Sequence, residues 1–493
     1  MVIIRYVLGL DIGTSSLKVV LIDEYCSVAA ECGVEYSYAA LADGGVEQDS
    51  NDWIDAFLQA LKMLREDHSV DLHDIEALCS TGMYRSLILL DERGIPLRDA
   101  IIWSDIRCAP QVDDAVRMHG QRIWEITRTR LTTACTLPRL LWLKEHEPEI
   151  WKKTRFFMFP SNYIAFYLTG EIAMDKNTAS HSSLYDVVKH DWSGELAELF
   201  ALETKKCPKL IESLQIQGHI TPCAAQATGL KAGIPVVAGC GDAAAEAYSV
   251  GMETSDVCKI RLGSAGDLCS VITRDELFRK KSDSIIEYVL PDRYIDSNYI
   301  LTCAQAVKWT RGMFWRELVG APGSYSIMDM EARAVAPGSE GLMFHPYLLG
   351  ENSPYYNPEL RAMFHGFKLS HERRHVLRAV YEGIGYSFKN IMEKNGVFER
   401  CRSVIIVGGG TKSELWLSTL VDALGKESIV PRCCDAAYGA ALMAAECSGF
   451  GQSSGMREVA GKLSRIISPN PENTAYYNEQ FPKFLQIAES GLS

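Results

Sequence analysis

The sequence predicts an α/β protein of two similar lobes that face each other across a cleft. Extended segments alternate with segments of helical periodicity along the chain. A strand, a glycine turn and a second strand occur near the amino terminus and again after residue 256. The 493 residues are enough for two or three domains of about 150 residues each. We therefore expect two lobes with a boundary near residues 247–255.

The first lobe opens with three extended segments, which predict an antiparallel meander: YVLGLDI, SLKVVLID and SVAAECGVEYSY. The next segment, DWIDAFLQALKMLRE, places its apolar residues on one face of a helix, and Asp52 is the expected N-cap. Further along, LPRLLWLKEHEPEIW predicts one helix with its exit. The first lobe is therefore expected to combine a strand meander with packed helices.

The second lobe begins with SDVCKIRLGSAGDLCSVITR, which again predicts a strand, a turn and a strand. Aligning the two turns pairs three positions: Gly13 with Gly263, Thr14 with Ser264, and Asp11 with Arg261. The pattern predicts a duplicated phosphate-binding hairpin in which only the first copy has kept its acid. Chance similarity of two short glycine turns is the alternative.

Composition and charge exclude several classes of function. With 50 basic and 63 acidic residues and a pI near 5.4, the chain lacks the basic field that nonspecific nucleic-acid binding needs. Its 15 cysteines include no CxxC pair and fit neither a disulfide framework nor a zinc site. No apolar run reaches the roughly 18 residues of a membrane span, and the amino terminus has no signal-peptide pattern. We expect a cytoplasmic protein that binds neither nucleic acid nor membrane.

The first hairpin contains a candidate phosphate and metal site. Asp11 ends a strand and is followed by Gly13, Thr14 and Ser15. Backbone N–H groups and hydroxyls of such a turn donate to phosphate oxygens, and the carboxylate can hold hydrated magnesium. The alternative is a β-turn with an ordinary aspartate.

Asp242 is a candidate general base. The segment IPVVAGCGDAAAEAYSVG predicts a strand, a glycine turn and a helix that starts near Asp242. It weakly matches a dinucleotide-binding motif, but the next strand, VCKIRL, ends in no acid that could bind a ribose. A carboxylate at the turn would repel a pyrophosphate and suits a base that faces a substrate hydroxyl. A residue that only caps the helix is the alternative.

A third glycine turn is a candidate nucleotide site. SVIIVGGGTKSELWLSTLVDALG predicts a strand, a turn and an amphipathic helix, with five candidate ATP-binding residues: Gly408, Gly409, Gly410, Lys412 and Ser413. The turn is not a Walker A loop because its spacing differs. A plain helix entry is the alternative.

Together these loops resemble the phosphate, adenosine and base elements of actin-like and hexokinase-like ATPases, and within them the FGGY family of carbohydrate kinases, xylulokinase-like members above all. The segments that carry the resemblance are GLDIGTSSLKVVLID (9–23), VEQDSNDW (46–53), LLDERGIPLRDAIIWSDIR (89–107), AGCGDAAAEAYSVG (238–251), FHPYLLGENSPYYNPELRAMFHGF (344–367), VGGGTKSELW (407–416) and AYGAALMAA (437–445). A first family signature fits at 136–146, although Arg139 stands in place of the usual lysine and Ala134 departs from the signature's first position. A second signature fits at 362–382.

The resemblance implies two ribonuclease-H-like domains of the actin and hexokinase type that face each other across a cleft. It places an N-terminal sugar-binding domain at 1–250, a C-terminal ATP-binding domain at 251–450 and an extension packed on the second domain at 451–493. It also implies that ATP and Mg²⁺ serve the reaction, with Asp11 at the metal, Asp242 as the base, and Gly13, Thr14, Ser15, Gly263 and Ser264 at the phosphates. The implied activity is ATP-dependent phosphorylation of a sugar hydroxyl.

The sugar pocket that the resemblance implies contains six residues: Tyr84, Arg85, Trp103, Asp105, Asp242 and Ala243. Two of its positions depart from the pentulose kinases. The turn Met83–Arg85 stands where relatives carry Gln-Met-His, and Ala243 stands where they carry Asn. For Asp105, an ion pair with Arg107 that orients the turn is an equal alternative to sugar contact.

Arg85 leaves the substrate open. Its guanidinium either pairs with Asp242 or Glu246, which favours a neutral sugar, or meets a substrate carboxylate. The expected substrate is D-xylulose or a related pentulose, and another polyol or a sugar acid such as gluconate is the alternative. A non-catalytic, nucleotide-gated sugar-binding regulator is the alternative of a different class. A homodimer is compatible with the resemblance, and the sequence does not decide the oligomeric state.

Overall fold

The computed structural model describes residues 5–279, 282, 284–450 and 464–490. Strands before residue 250 are β1 (Tyr6–Ile12), β2 (Ser16–Ile22), β3 (Val28–Glu35), β4 (Ala39–Ala40), β5 (Val46–Gln48), β6 (Ile75–Gly82), β7 (Ile88–Leu90), β8 (Ala100–Ile101), β9 (Phe156–Met158), β10 (Ala173–Asp175), β11 (Tyr185–Asp186), β12 (Asp191–Trp192), β13 (Lys209–Ile211), β14 (Ile216–His219) and β15 (Pro235–Gly241). Later strands are β16 (Val257–Leu262), β17 (Gly266–Thr273), β18 (Ser284–Glu287), β19 (Arg293–Ile300), β20 (Met343–His345), β21 (Met363–His365), β22 (Ser403–Val407), β23 (Glu427–Val430) and β24 (Arg465–Ile467).

Helices occur throughout the described residues. They are α1 (Ser50–Glu66), α2 (Ala109–Thr127), α3 (Thr136–His146), α4 (Pro148–Lys153), α5 (Pro160–Thr169), α6 (Lys176–Ser180), α7 (Gly194–Leu199), α8 (Pro222–Thr228), α9 (Asp242–Ser249), α10 (Arg274–Leu277), α11 (Ala304–Phe314), α12 (Ser324–Ala332), α13 (Arg373–Lys394), α14 (Glu414–Leu424), α15 (Ala436–Ser448) and α16 (Pro471–Ser490). The last of these has 20 residues and lies in the segment that the sequence analysis assigned to a terminal extension.

The chain divides into two compact units. Unit 1 comprises 1–251, 284–295 and 433–463, and unit 2 comprises 252–283, 296–432 and 464–493, each within the described residues. The chain first passes from unit 1 to unit 2 between residues 251 and 252, which lies within the range of 247–255 expected for the boundary. However, 284–295 and 433–450 belong to unit 1, although the sequence analysis assigned them to the second domain. The first part of the predicted extension, 451–463, lies outside the described residues.

Unit 1 is built on a six-stranded sheet of order β14-β15-β6-β1-β2-β3. Strands β1, β2 and β3 are antiparallel neighbours, which confirms the predicted meander. Strand β6 runs parallel to both β1 and β15. The predicted helix after the meander is α1, but its N-cap is Asp49, which accepts from the N–H of Asn51 at 2.8 Å. Asp52 lies in the first turn instead, so the N-cap prediction was wrong.

Helix α15 explains why the chain returns to unit 1 after residue 432. It packs on β1, β6 and α9, and small residues allow very close approach. A Cβ on Gly9 of β1 would lie 1.9 Å from the carbonyl oxygen of Ala437, and a Cβ on Gly439 would lie 2.0 Å from that of Ala245. This packing depends on contacts far apart in sequence, which a contiguous domain division does not capture.

Unit 2 contains the second predicted hairpin. Strands β16 and β17 are antiparallel, β16 is parallel to β22, and β22 is parallel to β23. Arg261 pairs in register with Asp267, whereas Asp11 pairs with Lys18 in the first hairpin, so equivalent positions carry exchanged charges. Helix α16 packs on α13 and α14 of this unit.

Candidate active site

The sheet of unit 1 brings three predicted site elements to one edge. The register aligns Asp11 of β1 with Thr81 of β6, and Thr81 with Cys240 of β15. Neighbouring strands are about 4.8 Å apart, so the strands that lead to Asp11 and Asp242 lie about 10 Å apart. The turn at residues 83–85 follows β6 directly and therefore emerges between them.

Asp242 is the first residue of α9, and the N-cap is Gly241. Its Oδ1 accepts from the N–H of Ala243 at 2.7 Å, and its side chain is half-buried. Asp242 therefore lies at the helix N-terminus as predicted, but it does not occupy the capping position. The N–H of Ala243 is engaged by this carboxylate.

Close packing favours glycine at two positions before Asp242. Gly239 has a φ of +78° at an irregularity of the β6–β15 ladder, and a Cβ there would lie 2.0 Å from the carbonyl oxygen of Ser80. A Cβ on Gly241 would lie 3.0 Å from Cδ1 of Tyr84. Its N–H donates to Oδ1 of Asn177 at 2.9 Å. Bulge and side-chain packing thus account for the glycines that matched a dinucleotide motif.

The first hairpin is fixed by side chains from several elements. The N–H of Gly13 donates to the carbonyl of Ser16 at 2.9 Å, and the Tyr36 hydroxyl donates to the carbonyl of Gly13 at 2.6 Å. The indole of Trp103 donates to Oγ1 of Thr14 at 3.0 Å, so the Thr14 hydroxyl keeps its own proton to donate. Sequence reasoning missed Tyr36, whose role depends on a contact across two strands.

The donor set at this edge fits magnesium. The described residues contain no cluster of three or more acidic, histidine or cysteine side chains that could enclose a metal. Mg²⁺ commonly binds through one or two carboxylates together with water and substrate phosphates. Asp11 at a strand end, beside the donors of the hairpin, would supply such a carboxylate.

The turn after β6 is ordered by a ring stack. The ring of Tyr84 lies on that of His181 with 3.8 Å between centroids and 15° between planes. The Arg85 guanidinium lies 5.5 Å from the Tyr84 ring centroid, and Arg85 has a φ of +68°, which is strained for a residue other than glycine. Whether Arg85 serves an internal acid or a substrate stays a prediction.

His181 is a site residue that sequence reasoning left unassigned. It is buried, and neither ring nitrogen has a hydrogen-bond partner among the described residues. Burial, together with the nearby charge of Arg85, lowers the pKa of His181 well below its usual value. The ring is therefore neutral at physiological pH and offers one donor and one acceptor. No local pattern in the sequence could have indicated this placement.

Asp105 forms the ion pair that was the alternative to sugar contact. Arg107 donates to Oδ2 of Asp105 through Nε at 2.9 Å and Nη2 at 2.6 Å. The N–H of Val46 donates to the same oxygen at 2.9 Å, and the N–H of Arg107 donates to Oδ1 at 3.0 Å. Because the carboxylate is buried and bonded on both oxygens, the ion pair favours the role of orienting the turn, and sugar contact by Asp105 stays a prediction. Trp103 on the same turn is 46% exposed.

Unit 2 contains a cavity of about 800 Å³ lined by residues of both predicted glycine turns. Gly263 and Ser264 line it from the β16–β17 hairpin, and Lys412 and Ser413 line it from the segment after β22. Ser413 also caps α14, since its Oγ accepts from the N–H of Trp416 at 3.0 Å. The size is that of a typical small-molecule site.

The three glycines after β22 differ in environment. A Cβ on Gly408 would lie 2.9 Å from the carbonyl oxygen of Leu262, and a Cβ on Gly410 would lie 2.7 Å from the ring of Trp416. Gly409 has nothing within 4 Å of a Cβ and lines the cavity together with Gly410. Gly408 is not among the lining residues. Packing against β16 is a structural reason for Gly408, and its nucleotide contact stays a prediction.

One wall of the cavity is aromatic and charged, which sequence reasoning missed. Tyr381 stacks on Trp416 with 5.1 Å between centroids and donates its hydroxyl proton to Oδ1 of Asp329 at 2.7 Å. The guanidinium of Arg311 lies 4.5 Å from the ring centroid of Tyr325. Flat rings beside a cation suit a base and a phosphate chain. Tyr381 and Trp416 lie in segments that carry the family resemblance. Arg311, Tyr325 and Asp329 lie on α11 and α12, which carry no motif that would have marked them.

Comparisons with known proteins agree over nearly the whole chain. Residues 6–248 match the N-terminal domain of the FGGY family of carbohydrate kinases, and residues 285–446 match its C-terminal domain. A xylulose kinase of Bacillus subtilis is 30% identical over 489 residues, which cover 98% of this chain and 96% of that protein. A xylulose kinase of Lactococcus lactis is 32% identical over 499 residues, with 98% and 96% covered.

A solved structure supports the same fold. The crystal structure of a xylulose kinase from Rhodospirillum rubrum superposes with a TM-score of 0.88 at 26% identity and covers 99% of each chain. The predicted two-domain fold of the actin and hexokinase type is thereby confirmed. In the described part of the chain, no helix has both the length and the apolar character needed to cross a membrane.

Proposed function

Because the chain belongs to the FGGY family of carbohydrate kinases and is a sugar kinase, we propose that it transfers the γ-phosphoryl group of ATP, with Mg²⁺, to a hydroxyl of D-xylulose or a related pentulose. The observation that carries this proposal is the register of β1, β6 and β15, which gathers Asp11, the turn at 83–85 and Asp242 at one sheet edge. Phosphoryl transfer needs positioning, a metal and a base rather than covalent help from the protein.

The proposed roles follow from the chemistry of each group. Asp242 accepts the proton of the attacking hydroxyl, and its half-buried position at the start of α9 supports this role. Asp11 holds magnesium, and the donors of its hairpin bind phosphate oxygens. In unit 2 the cavity binds ATP, with Ser264 and Lys412 near the phosphates and the Tyr381 wall near the base.

The substrate is proposed from two lines of support. The curated relatives named xylulose kinase, which match almost the full chain, favour a pentulose. Arg85 favours a second candidate, a sugar acid such as gluconate. A cation beside the Tyr84 ring would complete a bidentate pair with a substrate carboxylate.

An acceptor panel distinguishes the two candidates. ADP release is followed with pentuloses, hexuloses, polyols and aldonates, and we expect the highest kcat/KM with D-xylulose or a close pentulose. Arg85→His is measured beside it, with Arg117→His as the matched control on an exposed helix position. Selective loss of aldonate turnover in the Arg85 variant would favour the sugar acid. Improved pentulose turnover, with no aldonate activity in the parent, would exclude it.

A further inference from the structure

Arg139 is a buried cation whose partners are backbone carbonyls. It lies on α3 and is 1% exposed. Its Nη1 donates to the carbonyl oxygen of Arg85, and its Nη2 donates to that of Trp103 at 2.5 Å. Among the described residues no carboxylate forms an ion pair with it. A buried charge is costly unless its hydrogen bonds are satisfied, so this placement needs a compensating function or fit.

The two carbonyls belong to the two turns that carry the candidate acceptor contacts. Arg85 ends the turn after β6, and its φ of +68° is a conformation that surrounding contacts must maintain. Trp103 begins the second turn, and its N–H donates to Oγ of Ser86 at 3.3 Å. The planar guanidinium reaches the two turns with two different nitrogens, Nη1 and Nη2, whereas a lysine would offer a single nitrogen.

The hydrogen bonds of Arg139 and Trp103 continue to the turn between β1 and β2, which is called the phosphate hairpin here. The indole of Trp103 donates to Oγ1 of Thr14 at 3.0 Å, and Thr14 lies three residues after Asp11. Arg139 therefore donates directly to the turn at residues 83–85, called the acceptor turn, and to the turn that begins at Trp103. Through the indole of Trp103 it is connected to the Thr14 hydroxyl. All of these residues belong to unit 1.

From this network we propose that Arg139 is a positioning residue that holds the acceptor turn and the phosphate hairpin in one productive geometry. The expected effect on turnover rests on the proposed function, whereas the hydrogen-bond network of Arg139 does not depend on it. Burial lowers the pKa of Arg139 to about 10, so the guanidinium stays charged and the network stays formed at neutral pH.

The first test compares Arg139→Lys with Arg117→Lys, the same change at an exposed position of α2. Hydrogen exchange of the peptides that contain residues 83–86 and 102–105 is followed by mass spectrometry. We expect both peptides to exchange about tenfold faster in Arg139→Lys alone, because a single nitrogen replaces the two guanidinium nitrogens that each bond one carbonyl. An exchange rate that is unchanged in either peptide would overturn the proposed positioning role of Arg139, whether or not the chain phosphorylates any acceptor.

The second test reads the kinetic consequence with the best acceptor of the panel. Arg139→Lys should raise the KM for the acceptor and lower kcat, each by about tenfold, with the affinity for ATP unchanged. Trp103→Phe, which removes only the indole donor, should lower kcat by about fivefold. The double variant should be no worse than Arg139→Lys alone, since both act through one network. Multiplicative losses in the double variant would contradict the connection to Thr14.

Failure of the proposed function would look different. If the parent phosphorylates no acceptor in the panel, the proposed activity fails, and the exchange experiment still decides whether Arg139 holds both turns. If the parent is active and Arg139→Lys keeps parental KM and kcat, the activity stands and the positioning role is refuted.

Discussion

The roles of individual side chains at this site depend on their burial and on their hydrogen bonds to backbone groups far along the chain. Asp105 is the clearest case, since both oxygens of its buried carboxylate accept hydrogen bonds from Arg107, and Oδ2 also accepts from the N–H of Val46. Asp11 and Asp242 differ from Asp105, because Asp11 lies in the last two residues of β1 and Asp242 directly follows β15, at the carboxyl edge of one parallel set. Residue type alone did not separate an aspartate that orients a turn from the aspartates proposed to bind metal or accept a proton.

Asp11→Asn should weaken activity in a way that excess magnesium partly restores. The amide is a poorer ligand than a carboxylate, so the magnesium concentration for half-maximal activity should rise by about tenfold. Magnesium titrations of initial rates measure this, with Asp114→Asn as a control at an exposed position of α2. A magnesium dependence equal to that of the parent would mean that the hairpin acid is only structural.

Glu351 makes a prediction for pH and stability. Burial raises the pKa of this carboxyl to about 8, although Leu301 and Asn352 donate backbone N–H groups to it. The folded chain thus keeps a proton that the unfolded chain loses near pH 4.5, so stability falls as pH rises toward about 8. Thermal midpoints of the parent should decline over this range, and those of Glu351→Gln should decline less. Parallel curves would contradict the raised pKa.

At the scale of elements, local signals were sufficient for the strands and helices that create the site edge. Three extended segments predicted β1–β3, and each glycine turn lies at the end of a strand, as predicted. Features that depend on distant contacts could not be predicted. The return of α15 to unit 1 requires its packing on β1, and the stack of His181 on Tyr84 joins residues almost a hundred positions apart.

The packing of α15 is tested by Gly439→Ala. A Cβ would lie 2.0 Å from the carbonyl oxygen of Ala245, so α15 or α9 must shift. We expect a loss of about 1–3 kcal/mol in the free energy of unfolding, the usual range for overpacking. Gly312→Ala in α11 is the matched control, since nothing lies within 4 Å of its Cβ. A thermal midpoint equal to that of the parent would show that the helices accommodate the methyl group.

At the scale of the whole molecule, the proposed work is divided between two units that the chain enters more than once. Unit 1 holds both aspartates and the acceptor turn, and unit 2 holds the cavity proposed for ATP. Unit 1 is assembled from three chain segments and unit 2 from three. A single cut in the chain therefore cannot separate the two units intact.

The measurement that tests the central claim most directly is the turnover of Asp242→Asn beside Asp242→Ala, with the acceptor that the parent uses best. Both variants should lose at least about 100-fold in kcat because neither side chain can accept the hydroxyl proton, while the dissociation constant for ATP stays at the parental value. Turnover within about threefold of the parent in either variant would contradict the assignment of Asp242 as the base, and with it the account of catalysis at this sheet edge.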